Sequence, residues 1–282
     1  MKYLYKALRS KNNGPVNQSA EGINEHMSAI RCDVKKSNQL DHLFQFNTGK
    51  DSSISPFYLA RLAYPVIIRI LINKNLELNL LKLLHTAQSI QIYSSIHDGD
   101  IISIDSEISG INSRPEGDLV MISTRFIKED KTAAVTNSEF ITKLEKRRNP
   151  KTVYENNSGI TNYDQFSINT IKNHTKQYAK LSRDKNPIHT SRLFAALAGL
   201  PSPIMHGMHT MGLVSAALIE KYSESGWNGL DYVSVRFSRY VIPGETITIN
   251  SYCSSRGRID FAAQNGNGSK ILTDGCLQIK EI

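Results

Sequence analysis

Cysteine is scarce in this chain of 282 residues: Cys32, Cys253 and Cys276 are the only three. An odd number at wide, irregular spacing excludes a disulfide framework and every cysteine-based metal cage, and points to a reducing, cytoplasmic setting. Glycine-rich phosphate loops are also missing, which excludes the common nucleotide folds. The formal charge of +8 comes without any RNP, zinc-finger or helix-turn-helix pattern, and the basic residues are scattered, so a nucleic-acid partner is not expected. No apolar run reaches the ~20 residues of a membrane span. The longest, Phe57 to Ile72, is interrupted by Arg61, Pro65 and Arg69 and reads as a buried helix. Acidic residues are absent before Glu21, where Lys2, Lys6, Arg9 and Lys11 stand, but Asn12-Asn13-Gly14-Pro15 breaks that stretch and makes it an ordinary basic tail, not a transit peptide.

What is present is an ordinary globular balance, 40% hydrophobic and 21% charged, with length for one large domain or two of usual size. Residues 1–40 carry little pattern and read as an irregular arm or an early strand. Ser55-Pro56 and the apolar run behind it signal a helix. Strand patterns follow at Thr86–Ser94, Asp100–Ile108, Leu119–Ile127 and Ala133–Ile141, with turns at Asp98-Gly99 and Pro115-Glu116-Gly117. Residues 143–160, rich in Lys, Arg, Asn and Pro, read as a linker. Its cluster of Lys143, Lys146, Arg147, Arg148 and Lys151 is a solvated connector, or else a docking surface for a phosphorylated cofactor or an acidic carrier protein.

The order of elements then repeats. A short strand at Phe166–Asn169 precedes helices at Thr170–Leu181, Ser191–Leu200 and Met208–Tyr222; strands are expected at Asp231–Tyr240, Glu245–Ser254, Ile259–Gln264 and Lys270–Ile279. A helix followed by antiparallel strands, twice, is an α+β pattern and suggests a duplicated unit with one sheet per half. The division falls at 1–150 and 151–282.

The chemistry concentrates in Leu181-Ser182-Arg183-Asp184-Lys185-Asn186-Pro187-Ile188-His189. A separation of five from Asp184 to His189 is wrong for a shared helix face. Pro187 forces Asn186 out of the helical region, so the chain leaves a helix near Asp184 and the turn can fold carboxylate and imidazole together. Such a pair suits acid/base work. Seventeen residues on, His206-Gly207-Met208 opens the best helix of the chain, and a glycine there offers a bare N–H to polarise a carbonyl. No spacing of His, Cys and Asp argues for a metal.

Tyr178, Ser182, Asp184, Asn186-Pro187-Ile188-His189-Thr190, Ala195, Ala198-Gly199-Leu200 and Pro203-Ile204-Met205-His206-Gly207-Met208 together resemble the MaoC-like dehydratase family. That family includes the (R)-specific enoyl-CoA hydratases and the dehydratase modules of fungal-type fatty acid synthases. The resemblance covers about residues 165–250, through the Pro243-Gly244-Glu245 turn. It implies a double hot dog fold, in which antiparallel sheets each wrap one long central helix: Met208–Tyr222 in a C-terminal half that bears the site, and Phe57–Asn73 in a worn N-terminal copy without the motif.

The resemblance further implies interconversion of (R)-3-hydroxyacyl and trans-2-enoyl thioesters, with no cofactor beyond the coenzyme A or phosphopantetheine that carries the substrate. His189 would move the C2 proton and Asp184 would orient the water or 3-hydroxyl, while the Gly207 N–H meets the thioester oxygen. Asn186 would hold the loop, His206 cap the helix, and Tyr178 and His209 pack. Arg183 departs from the family, which has glycine there: it either strains a turn that needs positive φ or meets a phosphate at the pocket mouth. The partner is an acyl-CoA or an acyl carrier protein, and the chain a monomer of two hot dogs or a homodimer. A hot dog thioesterase and a non-catalytic acyl-thioester-binding scaffold are the rival readings.

Overall fold

The computed structural model describes residues 15–47, 52–80, 83–142, 163–255 and 257–280. The basic tail, the 143–160 connector with its cationic cluster, and the division at 150/151 lie outside these residues.

Ten antiparallel strands form one sheet, in the order β1-β3-β4-β5-β2-β7-β10-β9-β8-β6. The N-terminal strands are β1 (Asn24–Arg31), β2 (Leu83–Ile92), β3 (Ile101–Arg114), β4 (Gly117–Lys128) and β5 (Lys131–Thr142). The C-terminal ones are β6 (Asp164–Asn169), β7 (Leu230–Phe237), β8 (Thr246–Ser255), β9 (Arg258–Gln264) and β10 (Lys270–Ile279). Each half runs through its strands in the same order, mirrored across the middle. One sheet per half is therefore corrected: the two sub-sheets join where Ala87–Gln91 of β2 pairs with Tyr232–Arg236 of β7. Two strands that would otherwise end each sub-sheet satisfy one another's backbone groups, which favours fusion over two open edges.

Each half wraps a long helix, the hot dog arrangement. In the N-terminal half this is α2 (Pro56–Leu71), preceded by α1 (Val34–Leu43). In the C-terminal half α3 (His174–Ser182) and the short α4 (Arg192–Leu197) lead to α5 (Gly207–Tyr222). Pro56 at the first position suits a helix start, and Phe57, Leu59, Val66 and Ile70 on α2 are buried. On α5, burial extends around most of the circumference, Met211, Val214, Leu218 and Ile219 included. Phe44, just after α1, packs edge-on to Phe57, and a Cβ on Gly212 would stand 2.5 Å from its ring, so α5 needs glycine to sit this close to the N-terminal half.

Helix α1 is where an irregular arm was expected. Asp33 caps it, accepting from the Lys36 N–H at 3.1 Å. Its buried positions include Ser37 and Asp41 beside Leu40 and Leu43, so the inward stripe is half polar and shows weak periodicity.

Several ionisable groups are taken into the core, and their balance sets an acid response. Burial pushes His85 and His209 each down to about 4 from the usual 6.5, and lowers His206 as well. Between those values the unfolded chain binds protons that the folded chain refuses. Asp41 acts oppositely: burial raises it from 3.8 to about 7, so in that window the folded chain keeps a proton the unfolded chain loses. The histidines outnumber it, so unfolding takes up protons below pH 6.5 and stability falls on acidification, by about 1.4 kcal/mol per pH unit for each net proton. Urea midpoints measured from pH 7 to 5 should fall steadily at unchanged m.

Candidate active site

Helix α3 ends at Arg183, which takes a left-handed conformation, φ 66° and ψ 0°. That turn throws Asp184 off the helix axis and back toward the core. The loop is then closed by its own polar groups. Asn186 N–H donates to Asp184 Oδ1 at 3.1 Å, and Ile188 N–H donates to Asn186 Oδ1 at 3.3 Å. Pro187 starts a single 3-10 turn, Pro187–His189, which swings the His189 ring inward until the residue is only 8% exposed.

His189 Nδ1–H donates to the Ile204 carbonyl at 2.9 Å. A carbonyl can only accept, so this bond selects the tautomer whose Nε2 carries a lone pair. Burial lowers the affinity of His189 for a proton, with Asp184 and the Ile204 carbonyl partly opposing it, so the ring stands neutral at pH 7 as a free base.

His206 stacks on His189 with ring centroids 3.7 Å apart, and its Nε2–H donates to the Asp184 backbone carbonyl at 3.1 Å. It ties the start of α5 to the loop that carries Asp184. Burial, then the neighbouring His189, holds it well below the usual imidazole range. Gly207 follows as the first residue of α5, where helix geometry leaves the N–H without an intrahelical partner and aligns the helix dipole behind it. A Cβ on Gly207 would stand 3.1 Å from the Phe237 ring, so a bare backbone here is also a packing requirement.

Asp184, His189 and His206 bring three ligand-type atoms within 4.8 Å of one another. The sequence spacing gave no sign of this cluster, because two loops and a strap of 17 residues fold between its members. As a metal site it is poorly prepared: His206 is 2% exposed and spends Nε2 on a backbone carbonyl, and His189 spends Nδ1 likewise. The arrangement suits proton transfer, with the unbonded Nε2 of His189 in a cluster with a carboxylate, while the other unbonded nitrogen, His206 Nδ1, is buried.

Of the expected residues, Asp184, Asn186, His189, His206 and Gly207 meet at this one place. Arg183 is on its rim with an exposed side chain, and the positive φ puts it in the strained alternative. A non-glycine residue pays roughly 1–2 kcal/mol for this conformation, against about 0.4–1 kcal/mol of extra unfolded-state freedom that glycine would bring. Arg183→Gly is thus expected to stabilise the fold by about 0.5–1 kcal/mol, read as a melting point higher by about 2 °C. An unchanged or lower midpoint would show that the arginine side chain offsets the strain.

Two functional neighbours were not legible. Tyr64 and Arg61 lie on α2, in the half without the motif. Tyr64 Oη donates to Asp184 Oδ1 at 3.1 Å, and Arg61 Nε donates to the Leu181 carbonyl at 3.0 Å. Burial and the nearby Asp184 carboxylate push the Tyr64 hydroxyl up, so it remains a donor. The one signal in the sequence is two polar side chains three apart, hence on one face, in a mostly apolar helix that also carries Tyr58 and Arg69.

Antiparallel strands around a long helix, with an Asp/His pair at the mouth of that helix, define a hot dog domain. Residues 146–275 match the MaoC-like domain family. A 3-hydroxyacyl-thioester dehydratase of Mycobacterium tuberculosis is 26% identical over 210 residues, covering 70% of this chain and 72% of that protein. An enoyl-CoA hydratase of the same organism is 36% identical over 96 residues, and the match spans only 34% of either chain. A MaoC-like dehydratase from Phytophthora capsici has the same fold throughout: TM-score 0.78, 21% identity, 95% of this chain and 98% of that one.

Proposed function

We propose that this chain is a hydro-lyase that interconverts (R)-3-hydroxyacyl thioesters and trans-2-enoyl thioesters. The observation that carries the reading is the free Nε2 of a buried, neutral His189 beside the Asp184 carboxylate at the N-terminus of α5.

In the direction of water loss, His189 Nε2 takes the C2 proton. The C2–H electron pair becomes the C2=C3 bond as the C3–O bond breaks, and negative charge rises on the thioester oxygen. The Gly207 N–H and the α5 dipole meet that charge. Asp184 accepts from the 3-hydroxyl and so holds it on the His189 side. The imidazolium, favoured by the Asp184 charge, returns its proton to the departing oxygen, and water leaves from the same face. His189 starts and ends neutral. Hydration is the reverse.

Exposed Arg183, Lys185 and Arg192 around the loop favour an anionic carrier, which both coenzyme A and an acyl carrier protein provide. The β2–β7 seam pairs the two hot dogs inside one chain, which supports a site complete in a monomer. No helix among the described residues is long and apolar enough to cross a membrane.

Crotonyl-CoA mixed with the protein should lose its enoyl absorbance without release of free thiol. Thiol release would make the chain a thioesterase; neither change, across enoyl-CoA and enoyl-carrier substrates of graded length, would leave it a binding scaffold.

A further inference from the structure

We infer that the N-terminal hot dog, though it lacks the motif, supplies a working part of the active site: Tyr64 is a positioning residue that fixes the Asp184 carboxylate. The inference rests on the hydro-lyase reading.

Three observations converge on it. Asp184 Oδ1 receives two donors, the Asn186 N–H from its own loop and the Tyr64 hydroxyl from the opposite half, both at 3.1 Å. The side chain of Asp184 is 29% exposed, so without the second donor its outer torsion would be held by one loop bond alone. With both donors on Oδ1, Oδ2 is left toward the imidazoles, 4.0 Å from His206 Nε2. The hydroxyl therefore decides which carboxylate oxygen faces the chemistry.

Arg61, one turn back on the same face, latches the Leu181 carbonyl three residues before Asp184. Its guanidinium also lies over the Tyr58 ring, 5.1 Å from the centroid. These bonds span 120 residues of sequence and cross between halves, so they set the distance of the catalytic loop from α2. Pro65, next to Tyr64, has no N–H for the Arg61 carbonyl four residues back, which loosens the helix ladder at the turn that carries both side chains.

The test is a double-mutant cycle on the full chain with crotonyl-CoA. Tyr64→Phe keeps the ring and removes only the donor. A hydrogen bond to a charged group at this site predicts a fall in kcat of about 10- to 100-fold, with KM within about twofold, because Tyr64 acts on the carboxylate and not on the substrate. In an Asp184→Asn background the same substitution should change kcat less than about threefold, since the charge it serves is gone. Tyr64→Met, which fills the space without a donor, repeats the measurement with a second side chain. Kinetics of Tyr64→Phe within twofold of wild type, a loss carried by KM, or an equal loss in the Asp184→Asn background would each overturn the assignment. A wild-type chain that hydrates no enoyl thioester overturns the hydro-lyase reading and the inference together, whereas an active wild type with an equally active Tyr64→Phe overturns the inference alone.

Discussion

His189→Ala lowers kcat for crotonyl-CoA hydration about 10³-fold, the middle of the range for losing a general acid/base and close to 4 kcal/mol of barrier. Nothing nearby replaces it. His206 stacks on it, yet its Nε2 is committed to the Asp184 carbonyl and its burial opposes charging. Asp184→Asn costs nearly as much while leaving the loop in place. The amide oxygen takes the position of Oδ1, where Tyr64 and Asn186 still donate, and the NH2 group falls where Oδ2 was. A donor then faces the 3-hydroxyl where an acceptor was needed, and the charge that favoured the imidazolium is lost. The double variant should be no slower than the worse single one, because the two groups act on one proton transfer. Stopped-flow traces of all three variants, with melting curves as a folding control, check this. Independent, multiplying losses would mean that Asp184 and His189 serve separate steps.

Gly207→Pro is expected to lower kcat about 10²- to 10³-fold while the protein stays folded. Proline removes the N–H and adds a ring whose Cβ would stand 3.1 Å from Phe237. Gly207 is the first helical residue, where proline is at home, and His206 before it already has the extended backbone that proline demands, φ −67° and ψ 140°. The other half of the molecule shows a proline tolerated at a helix start: α2 begins with Pro56. Steric cost is separable, since Gly207→Ala brings the same Cβ to within 3.1 Å of Phe237 but keeps the donor. The alanine variant should lose far less rate than the proline variant, the difference being the ~2.7–4 kcal/mol of a single oxyanion donor. Equal losses would assign the effect to Phe237 and remove Gly207 from the chemistry.

Much of this was legible from residues in order. Alternating apolar positions gave nine of the strands, eight to within a few residues and β3 six residues short at its end, because a sheet with one face on a helix writes its burial at period two. Asn186-Pro187 announced the turn that joins Asp184 to His189, since proline's demand on its predecessor is local. What stayed hidden was long-range. The fusion of the two sub-sheets depends on β2 meeting β7 across more than a hundred residues, and nothing in either strand marks its edge. Helix α1 was missed because Ser37 and Asp41 occupy inward positions. Tyr64 and Arg61 carried no motif, and only the placement of α2 against the loop after α3 gives them a role.

The seam between β2 and β7 also changes what a single substitution does. In a two-fold pair of separate chains every replacement appears twice, so a residue lost from one copy is lost from both. Covalent fusion breaks that rule. Pro56 stands at the head of one helix and Gly207 at the head of the other, and Tyr64 of one half bonds Asp184 of the opposite half. A single heritable change in this chain falls on one side only, and that freedom lets one hot dog keep the reaction while the other is reshaped to fit what it reacts with.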